Sequence, residues 1–414
     1  MRILIKHSAL TDGENMSIAK IQKSIFDGEV TVPASKSVAH RALICSFLAG
    51  GGNVEPIISS KDMAATVGII NSLKKGENTL NSIESGSTLR FMIPVAAALG
   101  KEVTFVGQGS LLSRPIGEYL TLLPLHGTQI KSNGYLPATI SGKLRNGSFE
   151  VNGNVSSQYI TGLLLALAAL DGDSAVILKT ELQSKPYVDM TIKVMKDYGV
   201  DIRETDFGYL VKGGQKFKVQ DYIVEGDWSQ AAFFLVGGAI NGEVTVKGLD
   251  INSTQGDKAI VDVIKRFGAD VKIDDKSVTV KKSELHGIEL DATDIPDMVP
   301  AIAVLAANAS GKTVIKGAER LRYKESDRIE SVVYNLKALG AHVEETSDGM
   351  IICGGKKLHS AKLKGYNDHR IVMAFSVAAM NIGDCEIDDA QSINKSYPSF
   401  FDDFNNLGGK ADVL

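Results

Sequence analysis

At 414 residues the chain is longer than one ordinary hydrophobic core organises, so two domains are the natural expectation. Lys and Arg number 45 against 49 Asp and Glu, a net charge of -4 that gives no electrostatic reason for a nucleic-acid or anionic-membrane surface; any cationic cluster must be local. Cys45, Cys353 and Cys385 are far apart in apolar or strand-like contexts, which argues against a disulfide framework or a zinc site and fits a reducing cytosol. The N-terminus shows no apolar run behind a basic start, and apolar stretches such as 163–170 are too short to span a bilayer, so a soluble cytoplasmic protein is expected.

In chain order, the first informative stretch is Pro33-Ala34-Ser35-Lys36-Ser37-Val38-Ala39-His40-Arg41, between an alternating strand pattern at 29–32 and an apolar helix pattern at 42–49. Serines and cations at a helix start offer free backbone N–H groups and positive side chains to one anion. A capping serine among solvated charges explains this loop equally well when it is taken alone. The arrangement recurs, however, at 84–88, 155–158, 227–230, 294–297 and 367–370. With Lys36, Ser85, Ser157, Ser229, Asp297 and His369 as markers, the intervals by subtraction are 49, 72, 72, 68 and 72 residues. Each unit also predicts a second helix closing on glycine: 188–198 before Gly199, 258–267 before Gly268, 329–339 before Gly340 and 400–407 before Gly408. The repeat reads β-α-β-α-β-β. Six copies predict an α/β protein of two domains with three units each, divided near 224–227, while the segment from Met1 to about Phe26 is left to pair with either domain. Converging helix N-termini would form a joint anion site in a cleft between the domains.

The turns supply a cationic set, Lys36, Arg41, Arg90, Arg114, Lys324, Arg328, Arg370 and Lys395, and a carboxylate set, Asp297, Glu325 and Asp327. Arginines suit bidentate contacts with phosphate and carboxylate, and lysines act as point charges. Other motifs fail. Gly311-Lys312-Thr313 has Ala306 where a phosphate-binding loop needs its first glycine, and Gly107-Gln108-Gly109 has Leu112 where a dinucleotide fingerprint needs its third. No His or Cys pair has metal-ligand spacing, and no Gly-x-Ser-x-Gly elbow occurs.

Taken in order, Pro33-Ala34-Ser35-Lys36-Ser37 with Arg41, Ser85-Gly86-Ser87-Thr88-Leu89-Arg90, Arg114-Pro115-Ile116, Ser156-Ser157-Gln158, Ser184-Lys185-Pro186-Tyr187, Ile295-Pro296-Asp297, Lys324-Glu325-Ser326-Asp327-Arg328, Tyr366-Asn367-Asp368-His369-Arg370 and Lys395 form a set. That set resembles the 5-enolpyruvylshikimate-3-phosphate synthase family over essentially the whole chain. The resemblance implies transfer of the enolpyruvyl group of phosphoenolpyruvate to the 5-hydroxyl of shikimate 3-phosphate, by addition and elimination through a tetrahedral ketal. It implies an inside-out fold with helices bundled inside and small sheets outside, one domain of 33–225 and another of 1–32 plus 226–414. The N-terminal strand is expected to cross into the second domain. By resemblance, shikimate 3-phosphate falls on Ser37, Arg41, Ser156, Ser157, Gln158, Ser184, Tyr187, Asp297 and Lys324. Phosphoenolpyruvate falls on Lys36, Gly86, Arg114, Gln158, Arg328, Arg370 and Lys395. Asp297 and Glu325 are implied as the proton-transfer carboxylates, with Lys36 assisting. No metal or organic cofactor is expected, and the partners are the two small molecules, acting on a monomer. A carboxylate beside Lys324 and Arg328 should have a depressed pKa unless desolvation offsets it.

Three positions depart from the family pattern: Glu84 replaces an asparagine, Phe91 stands where proline is common, and Arg320 where an asparagine often contacts substrate phosphate. Glu84 would repel an anionic substrate unless it turned away. The sister enzyme that uses UDP-N-acetylglucosamine shares the architecture but usually carries a reactive cysteine in the loop here reading 107–115, which has none. A non-catalytic anion-binding repeat protein would have lost a catalytic residue, yet Lys36, Asp297, Glu325, Arg370 and Lys395 are present.

Overall fold

The computed structural model describes residues 17–414, so the part of the N-terminal expectation that concerns 1–16 lies outside the described residues. Among the described residues the strands form five four-stranded sheets and one two-stranded sheet. One pattern repeats. Thr79–Asn81 runs parallel to Val103–Val106, which pairs antiparallel with Ala138–Ser141, itself antiparallel to Gln129–Lys131. The same order joins Ser148–Val151, Ser174–Leu178, Gly208–Val211 and Ile202–Thr205. It recurs with Glu289–Asp291, Lys312–Lys316, Gly349–Cys353 and His342–Thr346. Strands such as Ser148–Val151 alternate exposed and buried residues, as a sheet with one wet face requires.

The helices behind these sheets are apolar nearly all round. Trp228–Asn241 is buried at every position and Val299–Asn308 at all but its last, so neither could face water and both must be surrounded by other elements. Trp228–Asn241 packs on Val299–Asn308, on His369–Ile382 and on the strand Gly242–Lys247. Helices therefore fill the interior and sheets cover it, in the inside-out arrangement the resemblance implies. The second helices also end as their glycines indicate, at Asp197, Arg266, Ala338 and Asn406.

Two hydrophobic cores result. One draws on residues between 34 and 224; the other draws on 19–32 together with 228–407. Two N-terminal strands serve the second core: Phe26–Thr31 lies parallel to Gly242–Lys247, and Ala19–Ile21 is inserted between Cys385–Ile387 and Ala411–Val413. Tyr222–Ile223, the last strand before the second crossing, pairs with Val54–Glu55 within the first body.

Among the described residues the chain thus passes between the bodies twice, and the crossings are tied together. Ser35 N–H donates to the Glu225 carbonyl (2.7 Å) and Asp227 N–H to that of Pro33 (2.9 Å). Asp227 caps two helices at once: Oδ1 accepts from Ser229 and Gln230 N–H in its own helix, and Oδ2 from Lys36 N–H across the joint (3.1 Å). Gln255 fills in the rest. Its Nε2 donates to Glu225 Oε1 and the Gly226 carbonyl, both at 2.8 Å, while its Oε1 accepts from Ser35 Oγ and Trp228 N–H.

Candidate active site

A cavity of about 450 Å³ lies between the two bodies. Four helices from the first body open on it: Lys36–Ala49, Gly86–Ala98, Ser157–Leu167 and Lys185–Asp197, each preceded by a serine at the N-cap. Ser35, Ser85 and Ser156 accept a backbone N–H of their own first turn; Ser184 does not, and sits at φ 55°. Arg328–Ala338 and His369–Ile382 approach from the second body, capped by Asp327 and Asp368. Helix N-termini carry partial positive charge, so the backbone adds to the cationic side chains around the space.

On the first body, Lys36 Nζ pairs with Asp62 Oδ2 at 2.8 Å. Arg41 is held by the Ser37 carbonyl (2.6 Å), the Tyr187 carbonyl (2.9 Å) and Thr191 Oγ1 (2.7 Å), with its guanidinium carbon 5.1 Å from the centre of the Phe91 ring. Phe91, the departure from proline, therefore forms a cation–π floor for Arg41. Arg90 Nη1 donates to Gln158 Oε1 (2.7 Å), and Gln158 Nε2 donates to Ser87 Oγ (2.9 Å), which fixes the amide's orientation. Gly86 lets Arg114 approach closely: a Cβ there would lie 2.4 Å from Arg114 Nη1.

On the second body, Arg328 is a buried hub. It donates to Asp297 Oδ1 (2.9 Å), Glu325 Oε2 (2.8 Å) and both oxygens of Asp368 (2.8 and 3.2 Å). Arg370 holds Asp297 through its carbonyl (3.1 Å) and Oδ2 (3.2 Å), and Lys324 Nζ lies 3.4 Å from Oδ1. Contacts also cross the cavity. Tyr187 O–H donates to Asp297 Oδ2 (3.1 Å), Arg320 donates to Ser184 Oγ (2.5 Å), and Arg114 stands 3.6 Å from Glu325 Oε1.

Burial alone would raise the pKa of Asp297, but Arg370, Lys324, Arg328 and Lys36 outweigh it and hold the carboxyl well below the usual range. Glu325 follows the same logic, with burial overcome by Arg328, Arg114, His369 and Lys324. Desolvation does not offset the cations, so both carboxylates are ionised before substrate arrives. His369 is driven the other way, well below the ordinary imidazole value, by burial and then by Lys36 and Arg370. Behind Asp297, burial and the charge of Asp297 raise Asp257 to about 6.

Apart from Lys395, every residue assigned to substrate or catalysis on sequence lines this cavity: Lys36, Ser37, Arg41, Gly86, Arg114, Ser156, Ser157, Gln158, Ser184, Tyr187, Asp297, Lys324, Glu325, Arg328 and Arg370. Lys395 sits outside the lining; its ammonium donates to the Asn367 carbonyl (2.8 Å) and pairs with Glu84 Oε2 (2.8 Å). Asp327 leaves the carboxylate set: its side chain caps Arg328–Ala338 and pairs with Arg322. The turn at 227–230 serves the joint. Sequence reasoning missed Asp62, whose partnership with Lys36 spans 26 residues with no motif to mark it. It also left Arg90, Arg320 and His369 off the site although all three line the cavity; their polar turns were the available signal.

The EPSP synthase (3-phosphoshikimate 1-carboxyvinyltransferase) family model matches residues 21–404. A 3-phosphoshikimate 1-carboxyvinyltransferase of Clostridium novyi is 44% identical, covering 96% of this chain and 99% of that protein. One from Methanothrix thermoacetophila is 40% identical, covering 95% and 99%. A solved structure of EPSP synthase from Acinetobacter baumannii superposes with a TM-score of 0.80 at 26% identity, over 97% of this chain and 100% of that one. The enolpyruvyl transferase NikO from Streptomyces tendae shares the fold, with a TM-score of 0.78 at 17% identity over 97% and 99% of the two chains. With the cavity's residues drawn from both bodies in the order of the family's turns, the match runs through site and fold alike, and the chain belongs to the EPSP synthase family.

Proposed function

We propose that this protein transfers the enolpyruvyl group of phosphoenolpyruvate to the 5-hydroxyl of shikimate 3-phosphate and releases phosphate, a step of aromatic amino-acid biosynthesis. The observation that carries the reading is the pairing of Asp297 and Glu325 on one buried arginine, Arg328, in a cavity where Lys36, Arg41, Arg90, Arg114, Lys324, Arg370 and several helix N-termini also converge. Two substrates that each bear a phosphate and a carboxylate match that charge pattern.

The acceptor is assigned to the side where Ser37, Arg41, Ser156, Ser157, Gln158, Ser184, Tyr187 and Lys324 lie, and the donor to Lys36, Gly86, Arg114, Gln158, Arg328 and Arg370, with Lys395 behind them. Asp297 touches Tyr187 on the acceptor side, so it is assigned as the base that takes the 5-hydroxyl proton. Glu325 stands between Arg114 and Arg328 on the donor side and is assigned as the group that delivers a proton to the methylene carbon. The bound anions add like charge beside it and raise its proton affinity from the depressed value of the empty site. The hydroxyl oxygen bonds to the central carbon of the donor as the methylene becomes a methyl group, which gives the tetrahedral ketal. Glu325 then takes a proton back from that methyl as the carbon–phosphate oxygen bond breaks, the proton held by Asp297 leaves with the phosphate, and the vinyl ether and inorganic phosphate are released. Lys36 is assigned to assist at the donor.

The moving bodies are proposed to be 33–225 and 1–32 plus 226–414, hinged where Asp227 caps Lys36. Among the described residues no helix is long and apolar enough to cross a membrane, and a cytoplasmic monomer is proposed. Phosphorus NMR of the two substrates with purified protein tests the reading: the donor resonance should decay as inorganic phosphate and one new 3-phosphate ester grow in equal amounts. Decay without a new ester would contradict transfer.

A further inference from the structure

Resting on that reading, we propose that Glu84 sets the affinity of this enzyme for the anionic donor, acting as the built-in counterion of Lys395 just behind the lining of the cavity. Glu84 comes from the first body and Lys395 from the second, and their side chains, 11% and 6% exposed, meet at 2.8 Å. The pair is accommodated by the fold. Gly109, at φ 57°, leaves space for Glu84, since a Cβ there would fall 2.7 Å from the glutamate Cδ and Oε2. Lys395 is steadied by the Asn367 carbonyl, within the turn whose His369 and Arg370 line the cavity. Glu84 stands two residues before Gly86, which lies against Arg114.

The donor's proposed seat is formed where Gly86 and Arg114 meet Arg328 and Arg370, so Glu84 and Lys395 flank it from behind. A donor with three negative charges gains from Lys395 and loses from Glu84. While both are ionised and in contact, the pair presents almost no net charge to that seat, and the enzyme forgoes one cation's worth of attraction. Of the other cations near the donor, Arg328 and Arg370 are committed to Asp297, Arg328 and Arg114 to Glu325, and Lys36 to Asp62. No proton-transfer role in the reading calls on Glu84. Its evident effect is electrostatic, and it acts on donor affinity while leaving the acceptor side alone.

Glu84→Gln keeps the side-chain shape and removes the charge. The Michaelis constant for phosphoenolpyruvate should fall by about three- to thirty-fold, the range expected for one unit charge roughly 8–25 Å away at an effective dielectric near 20, as suits a group set behind the seat. The constant for shikimate 3-phosphate should stay within two-fold. Glu84→Asn should shift the donor constant in the same direction, and Glu84→Asp, which keeps the charge, should leave it near the wild-type value. A donor constant that is unchanged or raised in both neutral variants would overturn the proposal, as would equal movement of both substrates' constants. Failure of both neutral variants to fold would make the pair a structural clasp and would overturn it too. Absence of turnover in the wild-type protein would instead overturn the functional reading itself.

Discussion

The turns at 227–230 and 367–370 occupy equivalent places in the repeat, each with an aspartate at the N-cap of a long buried helix, yet they do opposite work. Asp227 spends both carboxylate oxygens on backbone N–H groups, two in its own helix and one in the helix that begins at Lys36. With Gln255 it makes the joint a place where carboxylate oxygens are met by backbone and amide N–H donors. Asp368 caps its helix as well, but it also grips Arg328, the cation that carries Asp297 and Glu325. Position in the repeat fixes the cap; the segment across from it decides whether the cap becomes a hinge or a wall of the active site.

Substitutions sharpen that contrast. Asp297→Asn keeps the shape of the cavity and removes the proposed base, so kcat should fall by roughly 10²–10⁴-fold while binding of shikimate 3-phosphate changes much less. Parallel loss of turnover and acceptor affinity in steady-state kinetics and calorimetry would assign Asp297 to binding instead. At the joint, Asp227→Ala removes caps from two helices and leaves buried N–H groups unpaired, a loss of roughly 2–4 kcal/mol. Denaturant unfolding should show it, and a change below about 0.5 kcal/mol would deny the joint its structural role. Gly86→Ala should push the Arg114 guanidinium aside, raising the Michaelis constant for phosphoenolpyruvate by about tenfold, or ~1.4 kcal/mol, with a smaller effect on the acceptor. An unchanged donor constant would separate Arg114 from the donor.

The smallest effect concerns pH. Asp257, raised to about 6 by burial and the charge of Asp297, binds its proton more tightly folded than unfolded. Its contribution to stability is therefore present below the unfolded carboxyl value, about pH 4, and is lost as pH rises through about 6. Asp297 and Glu325 have the opposite sign: their stabilisation is complete above the unfolded values and is lost only as pH falls through their depressed ones. Asp257→Asn keeps an acceptor for Ser229 and removes the titration, so its melting temperature relative to wild type should rise between pH 4.5 and pH 7.5. A constant difference across that range would show that Asp257 does not titrate there.

Much of this was legible in the sequence because it is local. Ser35, Ser85 and Ser156 cap the helices that their turns predict, and the five intervals between the six turns, four of them 68 or 72 residues, mark the repeat. Parts that depend on distant partners were not. The alternation at 29–32 indicates a strand, yet nothing in it says that the strand, observed at Phe26–Thr31, lies beside 242–247. Asp327 and Asp297 look alike as acidic residues in charged turns; one faces a backbone and Arg322, the other three cations. Glu84 was legible as an anion in an anion-binding region, but its pairing with Lys395, which answers the expected repulsion, is visible only once the two bodies meet.

If both bodies join in one transfer reaction, turnover must depend on the acceptor. Phosphate release from phosphoenolpyruvate should be measured with no acceptor, with shikimate 3-phosphate and with UDP-N-acetylglucosamine. Release only with shikimate 3-phosphate is the predicted result. Release with the sugar nucleotide instead, or none with either acceptor, would contradict the account.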